Sequence, residues 1–154
     1  MLLVALLVKF TSSGTILYWS DRVGRNNVLF KMPKFRTMRT GAPDVATHLL
    51  EDPDRWITPL GRFLRGASLD ELPQLLNVLR GEMSLVGPRP HAPGTSADGR
   101  LFEEVVPFYA GRHRVKPGIT GLAQVRGLRG ETRTQADVLA RVEADYEYIQ
   151  RWSP

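Results

Sequence analysis

Cysteine is missing from this 154-residue chain. Disulfides, thiolate metal sites and a cysteine nucleophile are excluded together, and the absence suits a reducing compartment. Long apolar runs are missing as well. The apolar stretch at residues 1–8 falls short of the ~20 residues that a membrane-crossing helix needs. It also lacks the basic start and small-residue cleavage site of a signal peptide. Lysine is scarce: 4 residues against 17 arginines. No internal repeat or low-complexity tract interrupts the chain.

What is present suits a globular protein. Hydrophobic residues make up 42% and charged residues 24%, and the length suits one domain with a real core. The net charge is +5 and the pI about 10.0. An arginine excess matches phosphate-bearing partners: nucleic acid, nucleotide or anionic lipid. Genomic base composition also raises arginine counts, so position has to decide.

The start, Met1-Leu-Leu-Val-Ala-Leu-Leu-Val8, reads either as a buried first helix or strand or as the tail of a longer membrane-inserted helix. Residues 15–19 and 28–32 read as two short strands around a polar Gly/Asn turn, a hairpin signal. Residues 33–38 continue extended, with Lys34 and Arg36 on one side. Helices are expected at 44–51 and at 58–65, the latter stopped by Gly66. Leu72, Leu75, Leu76 and Leu79 have helical spacing. Pro73 belongs in a first turn, which starts that helix near Asp70 and ends it at Gly81. A Gly/Pro/Ser-rich linker through Gly99 precedes a helix at 101–111 that Pro107 kinks or ends. Residues 122–125 read as a short strand, 127–134 as a loop, and 135–151 as the last helix.

Asp70 and Glu71 have two readings. Ser68-x-x-Glu71 is a capping-box pattern, and acids in a first turn favour the helix dipole. The same location also suits chemistry: a carboxylate among free N–H groups can meet a phosphate, attack phosphorus and form an acyl phosphate, while its neighbour helps hold a divalent cation. Gly87-Pro-Arg-Pro90 reads as a corner-turning loop, or as a rigid mount for a phosphate-holding arginine, Arg89. Lys34, Arg36, Arg114 and Lys116 can add to the same positive field, although each taken singly reads as a solvated charge. His113, between two arginines, has its neutral form favoured and is no catalytic candidate.

Five strings in order carry a family resemblance: Asp21-Arg-Val-Gly-Arg-Asn26, Lys34-Phe-Arg-Thr-Met38, Ser68-Leu-Asp-Glu-Leu-Pro-Gln-Leu75, Leu79-Arg-Gly-Glu-Met-Ser-Leu-Val-Gly-Pro-Arg-Pro90 and Arg112-His-Arg-Val-Lys-Pro-Gly-Ile-Thr-Gly-Leu-Ala-Gln124. Together they resemble the bacterial sugar transferases, the monotopic phosphoglycosyl transferases. Any one string is weak; the ordered set is specific and spans nearly the whole chain.

The resemblance implies an α/β (α+β) fold: a small sheet or hairpin with several short helices, forming a membrane-associated monotopic catalytic domain. It implies transfer of a sugar 1-phosphate from a UDP-sugar to a polyprenyl (undecaprenyl) phosphate at the cytoplasmic face of the bacterial inner membrane. That step begins O-antigen, capsule, exopolysaccharide or protein-linked glycan assembly. Asp70 is the implied nucleophile, forming a covalent aspartyl-phosphosugar, and Glu71 works with Mg2+ at the dyad. Arg89 is expected to hold phosphate, and Lys34, Arg36, Arg114, Lys116 and Gln124 to line the phosphate and substrate site. A homodimer is an expected partner, and nucleic acid is not.

The chain departs from the family pattern at its ends. The family's longer re-entrant helix is represented only by its last turns, so residues 1–14 read as a remnant of it and 15–154 as the catalytic domain. The family's hydrophobic segment after Trp152-Ser153 is missing, and Ser12-Ser-Gly-Thr15 replaces a Ser-Pro-Gly-Pro. These departures read as truncation at both ends, with the shortened chain partly soluble. The competing readings are an inactive truncated relative and a basic, non-catalytic module binding anionic lipid or nucleic acid.

Overall fold

The computed structural model describes residues 1–43, 50–128, 130, 132 and 134–151. The helix expected at 44–51 falls mostly outside them. The chain divides into two compact units, one formed by Met1–Trp19 and Pro33–Gln74, the other by Ser20–Met32 and Leu75–Pro154. Short helices and two-stranded sheets make up both, which is the mixed α/β character the sequence implies.

In the first unit, α1 (Leu2–Thr11) buries Val8, which joins Phe35 and Leu64 in a small core flanked by Leu60, Leu69 and Leu72. Leu2, Leu3, Leu6, Leu7 and Phe10 stay exposed. No helix among the described residues is long and apolar enough to cross a membrane. Helix α2 (Pro53–Trp56) is capped by Asp52. Helix α3 (Pro59–Gly66) follows, where Thr58 Oγ1 accepts from the Gly61 N–H at 2.9 Å and Pro59 opens the first turn. The cap satisfies an orphan donor, and proline there loses no hydrogen bond.

Strands β1 (Leu17–Val23) and β2 (Leu29–Phe35) pair with each other. Their short connection, which contains a 3-10 turn at Arg25–Asn27, requires the antiparallel arrangement. The expected hairpin is therefore present, although β1 runs through Asp21–Val23, where the sequence suggests turn. Both strands pass from one unit into the other.

The helix expected from Asp70 takes a different form. Leu69–Gln74 is a 3-10 turn containing Pro73, followed by the short α4 (Leu75–Leu79). Ser68 enters it with a left-handed φ of 55°. Proline removes the donor an α-turn needs, and 3-10 geometry accommodates the loss over one short stretch.

In the second unit, β3 (Ser84–Val86) runs parallel to β6 (Gly118–Thr120), with Ser84 opposite Gly118. β4 (Ser96–Ala97) and β5 (Arg100–Leu101) form a minimal hairpin inside the expected linker. Helix α5 (Phe102–Val105) ends early: Val106 is extended, as a residue before proline prefers, and Phe108 takes φ 61° before a 3-10 turn at Tyr109–Arg114. Leu122–Val125, expected as a strand, is helix α6, with Val125 N–H donating to the Gly121 carbonyl at 3.1 Å. Helix α7 (Gln135–Arg151) has the expected bounds. Its Val138 and Val142 pack on Ala97, Phe102, Val106 and Tyr109.

Candidate active-site residues

The first unit gathers the acidic pair with basic side chains. Leu69 and Leu72 pack into the core, and that anchoring presents Asp70 at the 3-10 turn between them. Asp70 is 7% exposed. Burial raises its carboxyl above the ordinary value, with Glu71 adding to the rise; Lys34, Arg65 and a backbone hydrogen bond oppose it. Lys34, near the end of β2, donates to Glu71 Oε1 at 2.7 Å, both side chains being mostly covered. That ion pair gives Glu71 a partner, while the Ser68 N–H, which a capping box would tie to the Glu71 side chain, donates to the Arg65 carbonyl at 3.2 Å and the Glu71 N–H donates to the Ser68 carbonyl at 3.3 Å.

Arg65 was not singled out by the sequence. It lies in the last turn of α3, where its Nε donates to Thr37 Oγ1 at 2.8 Å. Burial lowers its guanidinium from the ordinary value, and Asp70 counteracts that. The legible signal was a cation at the C-terminal end of an amphipathic helix five residues before the acid. Arg36 has a different setting from its expected phosphate role. It is 9% exposed, and its NH2 donates to the Ser12 carbonyl at 2.9 Å and to Ser12 Oγ at 2.8 Å, while NH1 reaches the Ser13 carbonyl. It thus closes the C-terminal end of α1.

The second unit carries the other expected site residues. Arg89 sits half-buried in the loop after β3. Bare backbones make that loop compact: a Cβ on Gly87 would meet the Lys116 carbonyl at 2.5 Å, and one on Gly121 the Gly87 carbonyl at 2.2 Å. The Gly87 N–H donates to Thr120, the Gly118 N–H to Pro88, and Arg112 NH2 to the Arg89 carbonyl at 2.8 Å. Arg114 and Lys116 are exposed. Gln124, in α6, has both amide atoms sealed from solvent and without a protein partner among the described residues. His113 is lowered to about 4, by burial first and Arg112 second. The sequence reading that keeps it neutral had only the like charge to go on.

Asp70 and Glu71 are hard oxygen donors, and Mg2+ is often bound by one or two carboxylates completed by substrate phosphates. The pair fits that chemistry, with one Glu71 oxygen shared with Lys34. Among the described residues no group of three or more His, Asp or Glu is assembled for a cation, so substrate oxygens and water would complete the shell.

The first unit thus holds a buried acid beside Lys34 and Arg65, and the second unit carries a compact loop that presents Arg89. The chain belongs to the bacterial sugar transferase family, whose model matches residues 1–154. It is 53% identical over 152 residues to an undecaprenyl-phosphate glucose phosphotransferase of Komagataeibacter xylinus, covering 98% of this chain and 29% of that one. It is 52% identical over 155 residues to a UDP-glucose:undecaprenyl-phosphate glucose-1-phosphate transferase of Caulobacter vibrioides, covering 99% and 56%. It is 50% identical over 156 residues to the exopolysaccharide production protein PSS of Rhizobium leguminosarum bv. phaseoli, covering 99% and 77%. The chain thus spans well under two thirds of the length of two of these relatives.

Proposed function

We propose that this chain carries the catalytic part of a sugar-phosphate transferase that moves a sugar 1-phosphate from a UDP-sugar to a polyprenyl phosphate at the cytoplasmic face of the inner membrane. The observation that carries the reading is Asp70: a nearly buried carboxylate, raised by burial yet held in the field of Lys34 and Arg65. A carboxylate in that setting is more basic than an exposed one, and the cations favour its charged form. Relatives named for this transfer match essentially the whole chain.

An Asp70 oxygen attacks the β-phosphorus of the donor, and the bond from that phosphorus to the bridging oxygen breaks. UMP leaves with the oxygen and the electron pair. The aspartyl-phosphosugar is then attacked by an acceptor phosphate oxygen. The Asp70 oxygen–phosphorus bond breaks, the carboxylate returns and the polyprenyl diphosphate sugar departs. Lys34 and Arg65 offset negative charge near the dyad, as positive groups do in phosphoryl transfer. Lys34 also holds Glu71 in place, and Arg89 holds substrate phosphate. Mg2+, held by Asp70 and Glu71 when bound, would neutralise phosphoryl oxygens.

The test is protein labelling. The purified chain is mixed with Mg2+ and UDP-glucose radiolabelled in the sugar, with UDP-galactose and UDP-N-acetylglucosamine in parallel. Label that survives denaturation and disappears in Asp70→Asn is the expected result. Undiminished label in that variant removes Asp70 from the role. UMP released only once polyprenyl phosphate is added, with no protein-bound label before or after, replaces the covalent route by direct transfer.

A further inference from the structure

We propose that Asp145 and Arg112 form a buried brace that fixes the Pro88-Arg-Pro90 loop, making Asp145 on α7 a positioning residue for the substrate phosphate held by Arg89. The inference rests on the reading of Arg89 as a phosphate-holding residue. All its geometry lies within the second unit.

Arg112 NH2 meets Asp145 Oδ2 at 2.6 Å, and both side chains are about 1% exposed. The same nitrogen donates to the Arg89 carbonyl at 2.8 Å. NH1 donates to Tyr109 Oη at 2.7 Å and meets His91 Nδ1. One guanidinium thus joins α7, the 3-10 turn, the middle of the loop and the residue that follows it. A lysine offers no such planar fork. The His91 carbonyl accepts from the Val23 N–H at 3.0 Å, and burial with three nearby arginines keeps the His91 ring well below its ordinary value. A neutral ring tolerates Arg112 beside it. One turn further along α7, Tyr148 Oη donates to the Val86 carbonyl at 3.0 Å, at the end of the strand that leads into the loop. Residues three apart share a helix face, so α7 reaches the loop at two points.

A buried ion pair is a poor way to gain stability, because a well-packed apolar pair often does as well. The branching hydrogen bonds are what an apolar pair would lose. The brace therefore serves loop geometry more than folding.

The experiment compares Arg112→Met/Asp145→Leu with Asp145→Glu, Asp145→Asn, Arg89→Ala and the triple variant, using UDP-glucose with polyprenyl phosphate as acceptor in steady state. Thermal melts identify variants that fail to fold, and Asp145→Glu, which keeps the charge, serves if the double variant does. Expected is a KM raised at least tenfold in the double variant with a smaller change in kcat, and partial recovery in Asp145→Glu relative to Asp145→Asn. Adding Arg89→Ala to the double variant changes KM by less than twofold further, although it raises KM in the wild-type background. Full additivity of the two effects overturns the proposal. Hydrogen exchange provides a reading independent of activity: the Gly87 and Gly118 amides, both tied to this loop region, exchange faster in Asp145→Asn than in wild type, while α5 does not. Unchanged exchange there also overturns it. A wild-type KM that ignores Arg89→Ala, together with faster exchange, leaves the brace standing and removes the phosphate role of Arg89.

Discussion

Asp70 and Asp145 are both nearly buried, and burial pushes both carboxyls above the ordinary value. Their surroundings differ. Asp145 meets Arg112 at 2.6 Å with both side chains sealed, so its charge is answered inside the protein. Asp70 lies among cations that have other attachments: Lys34 holds Glu71, and Arg65 holds Thr37. The same group with the same direction of shift is thus set in two ways: one carboxylate is locked to its own arginine, the setting of the proposed brace, and the other shares its cations with neighbours, the setting of the proposed nucleophile.

The most severe way to break this contrast is Asp70→Asn. Labelling by UDP-sugar should fall by about 10^3-fold or more, as when an essential nucleophile is removed, with the fold intact by circular dichroism. Single-turnover labelling checks it. Next is Arg112→Met alone, which strands Asp145 without its partner and should lose about 3–5 kcal/mol in urea unfolding. Arg112→Met/Asp145→Leu should lose far less, because neither charge then remains.

The pH dependence sharpens the contrast. Labelling by Asp70 should fall about tenfold per pH unit below a midpoint that lies above the ordinary aspartate value. Stability carries the opposite sign from the usual paired carboxylate. With its folded value raised, Asp70 binds more protons folded than unfolded, so stability falls as pH rises from the unfolded value through the folded one. Asp70→Asn should therefore melt higher than wild type at neutral pH, and the difference should close below the ordinary aspartate range. Thr58→Ala is the smallest effect, about 1 kcal/mol from the lost cap of α3, read by denaturant midpoint.

Long periodic patterns were legible in the sequence. Helix α7 matches its expected bounds, and Thr58 and Pro59 announce α3. Short apolar runs were not. Four residues such as Leu122–Val125 satisfy a strand and a helix equally, and three-residue β3 and β6 pair across more than thirty residues of sequence. The acidic pair kept two readings, cap and chemistry, on spacing alone, and the resemblance carried by the ordered strings is what singled it out for the proposed role. Arg65 was hidden because its meaning comes from tertiary contact with Thr37 and Asp70. Nothing in the sequence sets Asp145 apart from the other charges of α7; its complete burial does. Leu75, Leu76 and Leu79 have helical spacing, and all three are exposed in α4, so that spacing marks the helix and not a buried face.

Gly61 has a consequence for the surroundings of Asp70. A methyl group there would sit 2.1 Å from the Thr37 carbonyl oxygen and 2.8 Å from its Cα. Thr37 in turn accepts from Thr58 through its carbonyl and from Arg65 through its hydroxyl. A single added carbon would act as a wedge, prying α3 off its seat and carrying the Arg65 guanidinium with it. One of the cations facing Asp70 thus depends on a position that bears no side chain, and a screen confined to charged residues would overlook it.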